Sequence, residues 1–195
     1  SNPDIFAKEG FVTVGLSWII MSLIGALPFV IDGCIPSFVD AFFETVSGFT
    51  TTGASILTEI ESLGRGMLFW RSFTHFVGGM GVLVFVLAIL PQADTRSVKL
   101  MHVMRAEVPG PKVGKLVSKI GRTARIMYGI YIGLTVIEMI LLLAGGMPVY
   151  GSIVNSFATA GTGGFAIKNA SIAAYDSAYI DYVIGIFMFL FGVNF

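Results

Sequence analysis

The chain has little charge and almost no cysteine. Of its 195 residues only 12% are charged, about half the share found in an ordinary soluble domain, so a fully water-facing surface is excluded. The single cysteine, Cys34, excludes an internal disulfide framework and any metal site built from several cysteines. The sequence shows no paired carboxylates, nucleophile–base set or metal-ligand cluster, so we expect neither an enzyme nor an organic cofactor.

Apolar residues are abundant. Hydrophobic residues make up 55% of the chain, the mean hydropathy is +0.85, and there are 17 Phe and 24 Gly. This composition is typical of closely packed membrane helices, and Gly129 and Gly133 have the spacing of a close helix contact. A secretory signal is not indicated, because Asp4, Lys8 and Glu9 precede a full-length apolar run without a small-residue cleavage site. The chain is therefore predicted to lie in membrane lipid.

Four apolar segments are candidates for membrane spans: residues 11–31, 67–90, 126–144 and 179–195. The first carries no charge over 21 residues. A helix of that length rises about 30 Å, which is the thickness of the hydrocarbon core of a bilayer. The fourth segment is still apolar at Phe195, which predicts a truncation in the middle of a helix.

A Thr/Gly motif occurs twice between these spans. The sequence TTTG at residues 50–53 is followed, 111 residues later, by GTGG at residues 161–164. Before the first copy, Ser37 is predicted to cap a helix over residues 37–47 with Asp40 in its first turn; before the second, a helix opens at Pro148 and ends near residue 158. Each helix is only about 16 Å long, half of a bilayer. The predicted repeat unit is a span, a re-entrant half-helix, an extended loop and a second span.

The chemistry of this motif suits the passage of a cation. Potassium and sodium need rings of oxygen atoms that replace their hydration shell. Extended backbone with glycine at positive φ supplies carbonyl oxygens, threonine hydroxyls can bond neighbouring backbone, and the partly negative C-terminal ends of the half-helices add attraction. At membrane depth such backbone must be buried in protein or line a water-filled cavity. A helix C-cap followed by a turn would explain one copy, but the duplication favours ion permeation.

The charges are distributed unevenly along the chain. Residues 91–125 hold eight Lys and Arg against two acids, whereas residues 32–66 hold five acids and one Arg. The positive-inside rule places the basic segment in the cytoplasm and both re-entrant loops outside. One face of the basic segment is apolar, which predicts an interfacial amphipathic helix; a docking surface and a solvated connection near anionic lipid both remain open. The residues on that face are Val113, Leu116, Val117 and Ile120.

A few polar residues inside the apolar segments need separate explanations. Glu138 lies within the third span, where a carboxyl marks either coupling to protons or sodium or a protonated or paired structural group. His75 fits a packed or interfacial histidine better than a pH sensor. Arg71 is predicted to anchor its helix at the outer membrane interface. Asp40 fits stabilisation of a helix start, and a weak cation-attracting vestibule formed with Glu44 is the alternative.

Four stretches carry a resemblance to a known family: FFETVSGFTTTGA at residues 42–54, GGMG at 78–81, LAILP at 87–91 and FMFLFGVNF at 187–195. In their order and spacing, the chain resembles the Trk/Ktr/HKT potassium transporters, and most closely the bacterial TrkH-like membrane subunits, over essentially its whole length. The resemblance implies four pore repeats in one polypeptide around a central pore, usually within a homodimer. It also implies a cytoplasmic nucleotide-binding regulatory subunit of the TrkA/KtrA kind.

The resemblance further implies that each copy of the motif supplies one quarter of a potassium selectivity filter. The filter residues would be Thr51, Thr52 and Gly53 in the first copy and Thr162, Gly163 and Gly164 in the second. Gly53 and Gly164 match the filter glycine of the family, and the third and fourth repeats are absent from this sequence. Two quarters do not enclose a pore, so this chain alone is not expected to conduct.

The predicted fold is an all-α polytopic membrane protein of potassium-channel-like repeats. Its parts are a first pore repeat (residues 1–92), a basic cytoplasmic linker (93–122) and a second pore repeat truncated in its last helix (123–195). The predicted function is potassium uptake across the bacterial inner membrane, with K⁺ as the transported ion and no nucleic-acid partner. The alternatives are a sodium-permeable or Na⁺/H⁺-coupled transporter of the same family, since Gly/Thr backbone serves both ions, and a non-conducting membrane scaffold.

Overall fold

The structure, a computed structural model, describes residues 7–81 and 120–192, with the side chains of residues 12–81 and 126–192. All regular elements within these stretches are helical, which confirms the all-α prediction for this part of the chain. The elements in chain order are α1 (Ala7–Asp32), α2 (Phe38–Phe49), α3 (Arg65–Gly79), α4 (Ile120–Ala144), α5 (Val149–Ala160), a 3₁₀ helix (Ser171–Tyr175) and α6 (Ala178–Gly192).

Two helices are long and apolar enough to cross a membrane. They contain the segments Val12–Asp32 of α1 and Ile126–Ala144 of α4, with mean hydropathies of 2.2 and 2.1. Large apolar side chains along both stay exposed, including Ile24 on α1 and Ile140 on α4. An outward-facing apolar surface of this extent suits lipid rather than water. The two segments match the predicted spans 11–31 and 126–144.

The two half-helices are confirmed as separate short elements. Both α2 and α5 have 12 residues and a length of about 18 Å, too short to cross a bilayer. The Ser37 hydroxyl accepts a hydrogen bond from the Asp40 amide at 3.4 Å, as the capping prediction requires. Both helices end two residues later than predicted. Gly48 lies inside α2 rather than at its end. A side chain at this position would overlap Thr74 of α3, so the glycine allows the two helices to pack closely.

Helix α3 lies between the two half-helices and packs on both of them. Helix α1 packs on α2, and α4 and α6 pack on α5. One apolar cluster therefore joins α1 and α2, while a second surrounds α4 and α6. Helix α3 packs Phe69, Phe73 and Phe76 on Phe157 of α5. It also carries three fully enclosed polar side chains: Arg71, Thr74 and His75. This placement brings polar groups of the first repeat against the backbone of the second.

The basic linker cannot be compared with its prediction, because most of it lies outside the described residues. Val113, Leu116 and Val117 of the predicted interfacial face fall in residues 82–119, and so does the predicted division at residue 92. Ile120 is the first residue of α4. The division of the chain into two repeats and a linker stays a prediction.

Candidate functional site

The two predicted filter segments leave their half-helices along the same backbone path. Thr50 and Gly161, which follow the helices, have φ of −78° and −77° and ψ of 0° and −4°. At the next residue, Thr51 and Thr162 both have φ of 55°. Gly53 has φ of 76°, and Gly164, its equivalent, has φ of 79°. The repeat in the sequence is therefore also a repeat in the backbone.

Thr51 and Thr162 adopt a left-handed conformation that β-branched residues rarely adopt. In each copy, two successive amides donate hydrogen bonds to the last turn of the half-helix. The donor–acceptor distances are Thr51 N–Gly48 O 3.1 Å, Thr52 N–Ser47 O 2.9 Å, Thr162 N–Thr159 O 2.7 Å and Gly163 N–Ala158 O 3.2 Å. An unfavourable backbone conformation that is made twice and held by matched hydrogen bonds points to a functional segment.

The two segments meet at Gly53. A side chain on Gly53 would overlap the carbonyl oxygen of Gly163, and a side chain on Gly163 would overlap the ring of His75. Glycine is needed at both positions because other atoms already occupy the place of a Cβ. The structure therefore brings the predicted site residues of the two repeats side by side.

The carbonyl oxygens of these segments differ from those of the helices before them in their hydrogen bonding. Among the described residues, none donates a hydrogen bond to the carbonyl oxygens of residues 51–53 or 162–164. The Thr50 hydroxyl bonds the Val46 carbonyl oxygen at 2.7 Å and lies 2.8 Å from the Thr52 hydroxyl, so a predicted hydroxyl–backbone bond is present. Backbone acceptors that no helix or sheet uses are available to bind a cation.

A buried ion pair lies beside the segments. Arg71 of α3 and Glu44 of α2 are each 1% exposed, and Arg71 Nε lies 2.7 Å from a Glu44 carboxylate oxygen. The same carboxylate accepts hydrogen bonds from the Ser55 hydroxyl, at 3.0 and 3.1 Å, and from the Ile56 amide at 2.9 Å. Buried charges persist when a partner and further hydrogen bonds compensate for lost hydration. Glu44 thereby ties α2 to the chain that follows the first segment.

This ion pair was missed in the sequence. The predicted role of Arg71 as an anchor at the outer interface is wrong, because protein encloses its guanidinium group. The alternative that placed Glu44 in a water-facing vestibule is wrong for the same reason. One indication was present: an acid and a base each stand within an apolar stretch of neighbouring predicted helices, and charges buried in such surroundings occur in pairs.

Two further titratable side chains, those of His75 and Glu138, are completely enclosed. His75, one turn after Arg71, stacks on Phe165 with ring centroids 4.0 Å apart, as expected of a packed histidine. Glu138 of α4 is 0% exposed, and among the described residues neither of its carboxylate oxygens has a hydrogen-bond partner. No described Lys or Arg forms an ion pair with it. Within this part of the chain, Glu138 is therefore not the paired structural carboxylate that was one of the predicted alternatives.

Known proteins resemble this chain over nearly its whole length. The family model for TrkH, described as a cation transport protein, matches residues 2–195. The Trk system potassium uptake protein TrkH of Salmonella typhimurium is 40% identical over 98% of this chain and 40% of its own length. TrkG of Escherichia coli K12 is 35% identical, and the alignment covers all of this chain and 40% of that protein. The chain thus spans about two fifths of the length of these curated relatives.

A solved structure agrees with the sequence comparison. The crystal structure of the potassium transporter TrkH from Vibrio parahaemolyticus matches with a TM-score of 0.75 and 32% identity, over 95% of this chain and 36% of that one. This chain therefore shares its helical fold with a membrane transporter. The chain belongs to the TrkH family of cation transport proteins.

Proposed function

We propose that this chain supplies two pore repeats of a potassium uptake protein in the bacterial cytoplasmic membrane. In this proposal, the carbonyl oxygens of residues 51–53 and 162–164 line the path of the ion. The observation that carries it is the matched backbone of the two segments, in contact at Gly53 and Gly163, with carbonyl groups that no described donor uses. Free carbonyl oxygens at close quarters are the ligands that replace the hydration shell of an alkali cation.

The half-helices strengthen the attraction of this site for a cation. Helices α2 and α5 both end directly before the segments. The C-terminal end of a helix carries a partial negative charge, which favours a cation within about one turn. A potassium ion that enters from outside would exchange water for carbonyl oxygens there and then pass toward the cytoplasm. The two repeats beyond this chain would complete the ring of ligands.

The proposal also covers the transported ion, the partners of the protein and its orientation in the membrane. The curated relatives are named potassium uptake proteins, which supports potassium over sodium. We extend the proposal to a homodimer of the full-length protein, a cytoplasmic nucleotide-binding regulatory subunit, re-entrant loops outside and the linker inside. The repeats would then comprise residues 1–92 and 123–195, and the protein would act without enzymatic chemistry or an organic cofactor.

The test is rubidium uptake by potassium-starved cells that carry the full-length transporter. Gly53→Ala should reduce uptake by at least about tenfold, because the new side chain meets the Gly163 carbonyl and L-residues disfavour this φ. Gly129→Ala is the matched control, since a Cβ there meets no described atom within 4 Å. Wild-type uptake and ion preference in Gly53→Ala, at equal amounts of protein in the membrane, would refute the filter.

The same assay separates the alternatives. A sodium-permeable transporter would take up sodium as readily as rubidium, and sodium would compete with rubidium at equal concentrations. A membrane scaffold would support neither flux, although the protein is inserted normally. Potassium uptake predicts rubidium flux that a large excess of sodium inhibits only weakly.

A further inference from the structure

Arg71 reaches beyond its partner Glu44. Its Nη2 group lies 3.2 Å from the Ser55 hydroxyl, and its Nη1 group donates to the Ala166 carbonyl oxygen at 3.3 Å. The guanidinium carbon also lies 4.1 Å from the centre of the Phe165 ring. One side chain of the first repeat therefore contacts the chain that follows both filter segments.

These contacts fall at equivalent positions of the two repeats. Ser55 stands two residues after Gly53, Ala166 stands two residues after Gly164, and the two contact residues are 111 positions apart. A guanidinium group presents its donors in a rigid plane, so the groups that it bonds are held at a fixed separation. Arg71 therefore spans the gap between the ends of the two segments.

The second repeat does not provide a similar group. The residues 111 positions after Glu44 and Arg71 are Asn155 and Tyr182. The Asn155 amide donates to the Tyr175 hydroxyl at 3.2 Å, within its own repeat, and Tyr182 is 73% exposed. Among the Lys and Arg side chains that the structure describes, Arg71 is the one that is buried.

We propose that Arg71 is a positioning residue that sets the separation of the two filter segments and thereby the discrimination between potassium and sodium. This inference rests on the proposed function of residues 51–53 and 162–164. Discrimination depends on the spacing, number and strength of the coordinating carbonyls, which a displaced segment alters. Glu44 neutralises and orients the guanidinium group, so that Arg71 acts through geometry rather than through repulsion of the cation.

The decisive variant is Arg71→Lys in the full-length transporter. Lysine keeps a positive charge beside Glu44 but loses the planar fork that joins Ser55 to Ala166. Rubidium uptake without sodium should stay within about threefold of wild type, while the sodium concentration that halves uptake should fall about tenfold, the effect of one lost hydrogen bond to a charged group. Both quantities are measured at equal amounts of protein in the membrane.

Two further variants keep the test sharp. Ser55→Ala removes a hydroxyl that bonds both Arg71 and Glu44, on a residue that is exposed at the surface, and should lower the same sodium concentration about threefold, roughly one weaker hydrogen bond. Lys168→Ala is the control, because the Lys168–Glu61 pair, 3.4 Å apart, also joins the two repeats but is nearly half exposed. It should leave uptake and sodium sensitivity unchanged.

The outcomes separate this inference from the filter itself. Wild-type sodium sensitivity in Arg71→Lys would overturn the positioning role, and so would an equal shift in Lys168→Ala. If Gly53→Ala abolishes uptake while Arg71→Lys changes nothing, the proposed filter is supported and the positioning role of Arg71 is refuted. If Gly53→Ala changes nothing, the filter is refuted, and the positioning role that rests on it is refuted as well.

Discussion

Each half-helix forms a hairpin with the predicted filter segment after it: residues 38–53 in the first hairpin and 149–164 in the second. The two hairpins have the same backbone conformation but different side-chain contacts behind it. In the first, a buried ion pair between Glu44 and Arg71 holds the chain that follows the filter segment. In the second, the neutral Asn155 occupies the place of Glu44 and bonds the hydroxyl of Tyr175, the last residue of the 3₁₀ helix. The shared conformation therefore depends on main-chain hydrogen bonds at the ends of α2 and α5, and the side chains behind it differ.

A second difference lies within the segments. Thr52 is exposed and its hydroxyl bonds Thr50, whereas the equivalent Gly163 lies against the ring of His75. Helix α3 is the cause, because it packs behind the second segment and leaves no room for a side chain. Two equivalent positions thus have opposite tolerance for size, although the backbone around them is the same.

The largest expected effect comes from breaking the ion pair of the first hairpin. Glu44→Ala leaves the Arg71 charge buried without its partner and should destabilise the protein by about 3–5 kcal/mol. Asn155→Ala removes a neutral hydrogen bond from the second hairpin and should cost only about 1–2 kcal/mol. The measurement is the thermal unfolding midpoint of the detergent-solubilised full-length protein.

The double variant Glu44→Gln with Arg71→Met is the control for this comparison. It removes both charges, so it should be more stable than Glu44→Ala. Equal losses of stability in Glu44→Ala and Asn155→Ala would contradict the distinction between a charged and a neutral support.

Exchanging the middle residues of the two segments should give an intermediate effect. Gly163→Thr forces a side chain into the His75 ring, which should destabilise the protein by about 1–3 kcal/mol and abolish rubidium uptake. Thr52→Gly keeps the backbone carbonyl and should cost about 0.5–1 kcal/mol, with uptake reduced less than about threefold. Uptake is measured in potassium-starved cells; tolerance of Gly163→Thr would show that α3 does not constrain the second segment.

The sequence was sufficient to predict α1, α4 and both half-helices, but the predicted span 67–90 is wrong as one continuous helix, because α3 ends at Gly79 and Gly81 has φ of 66°. Apolar run length located α1 and α4, and the duplicated Thr/Gly motif located both half-helices to within two residues. These predictions succeed because the thickness of a bilayer sets the length of a helix that crosses it. A helix of half that length cannot cross, so at membrane depth it must be re-entrant and enclosed by protein. The six predicted filter residues occupy matched, adjacent positions, and their binding of potassium stays a prediction.

The sequence was not sufficient to predict what lies behind the filter segments. An arginine near the start of an apolar span can be either an anchor at the membrane interface or a partner in a buried ion pair. Only the packing of α3 between α2 and α5 shows that Arg71 is the second. Glycine spacing was also ambiguous. Gly78 lies against the backbone of Phe49, the last residue of α2, and Gly79 lies against Gly161, which follows α5; a Cβ on Gly129 or Gly133 would meet no described atom within 4 Å. Glycine spacing alone does not predict which helix or loop will pack against the glycines.

The smallest predicted effect concerns the neutral support of the second hairpin. Tyr175→Phe removes the acceptor of the Asn155 amide, 3.2 Å away, and should lower stability by about 1 kcal/mol. Sodium sensitivity should not change, because Asn155 and Tyr175 hold α5 and the 3₁₀ helix rather than the end of a filter segment.

Tyr179→Phe is the matched control for Tyr175→Phe. Its hydroxyl donates to the Leu141 carbonyl oxygen at 3.2 Å from a half-exposed side chain, so the loss of stability should be smaller than in Tyr175→Phe. A rise in sodium sensitivity in Tyr175→Phe, comparable to that of Arg71→Lys, would mean that the second repeat sets its own filter geometry. Each hairpin would then hold its own segment in place. The difference between the charged and the neutral side chains behind the two segments would affect stability but not ion discrimination.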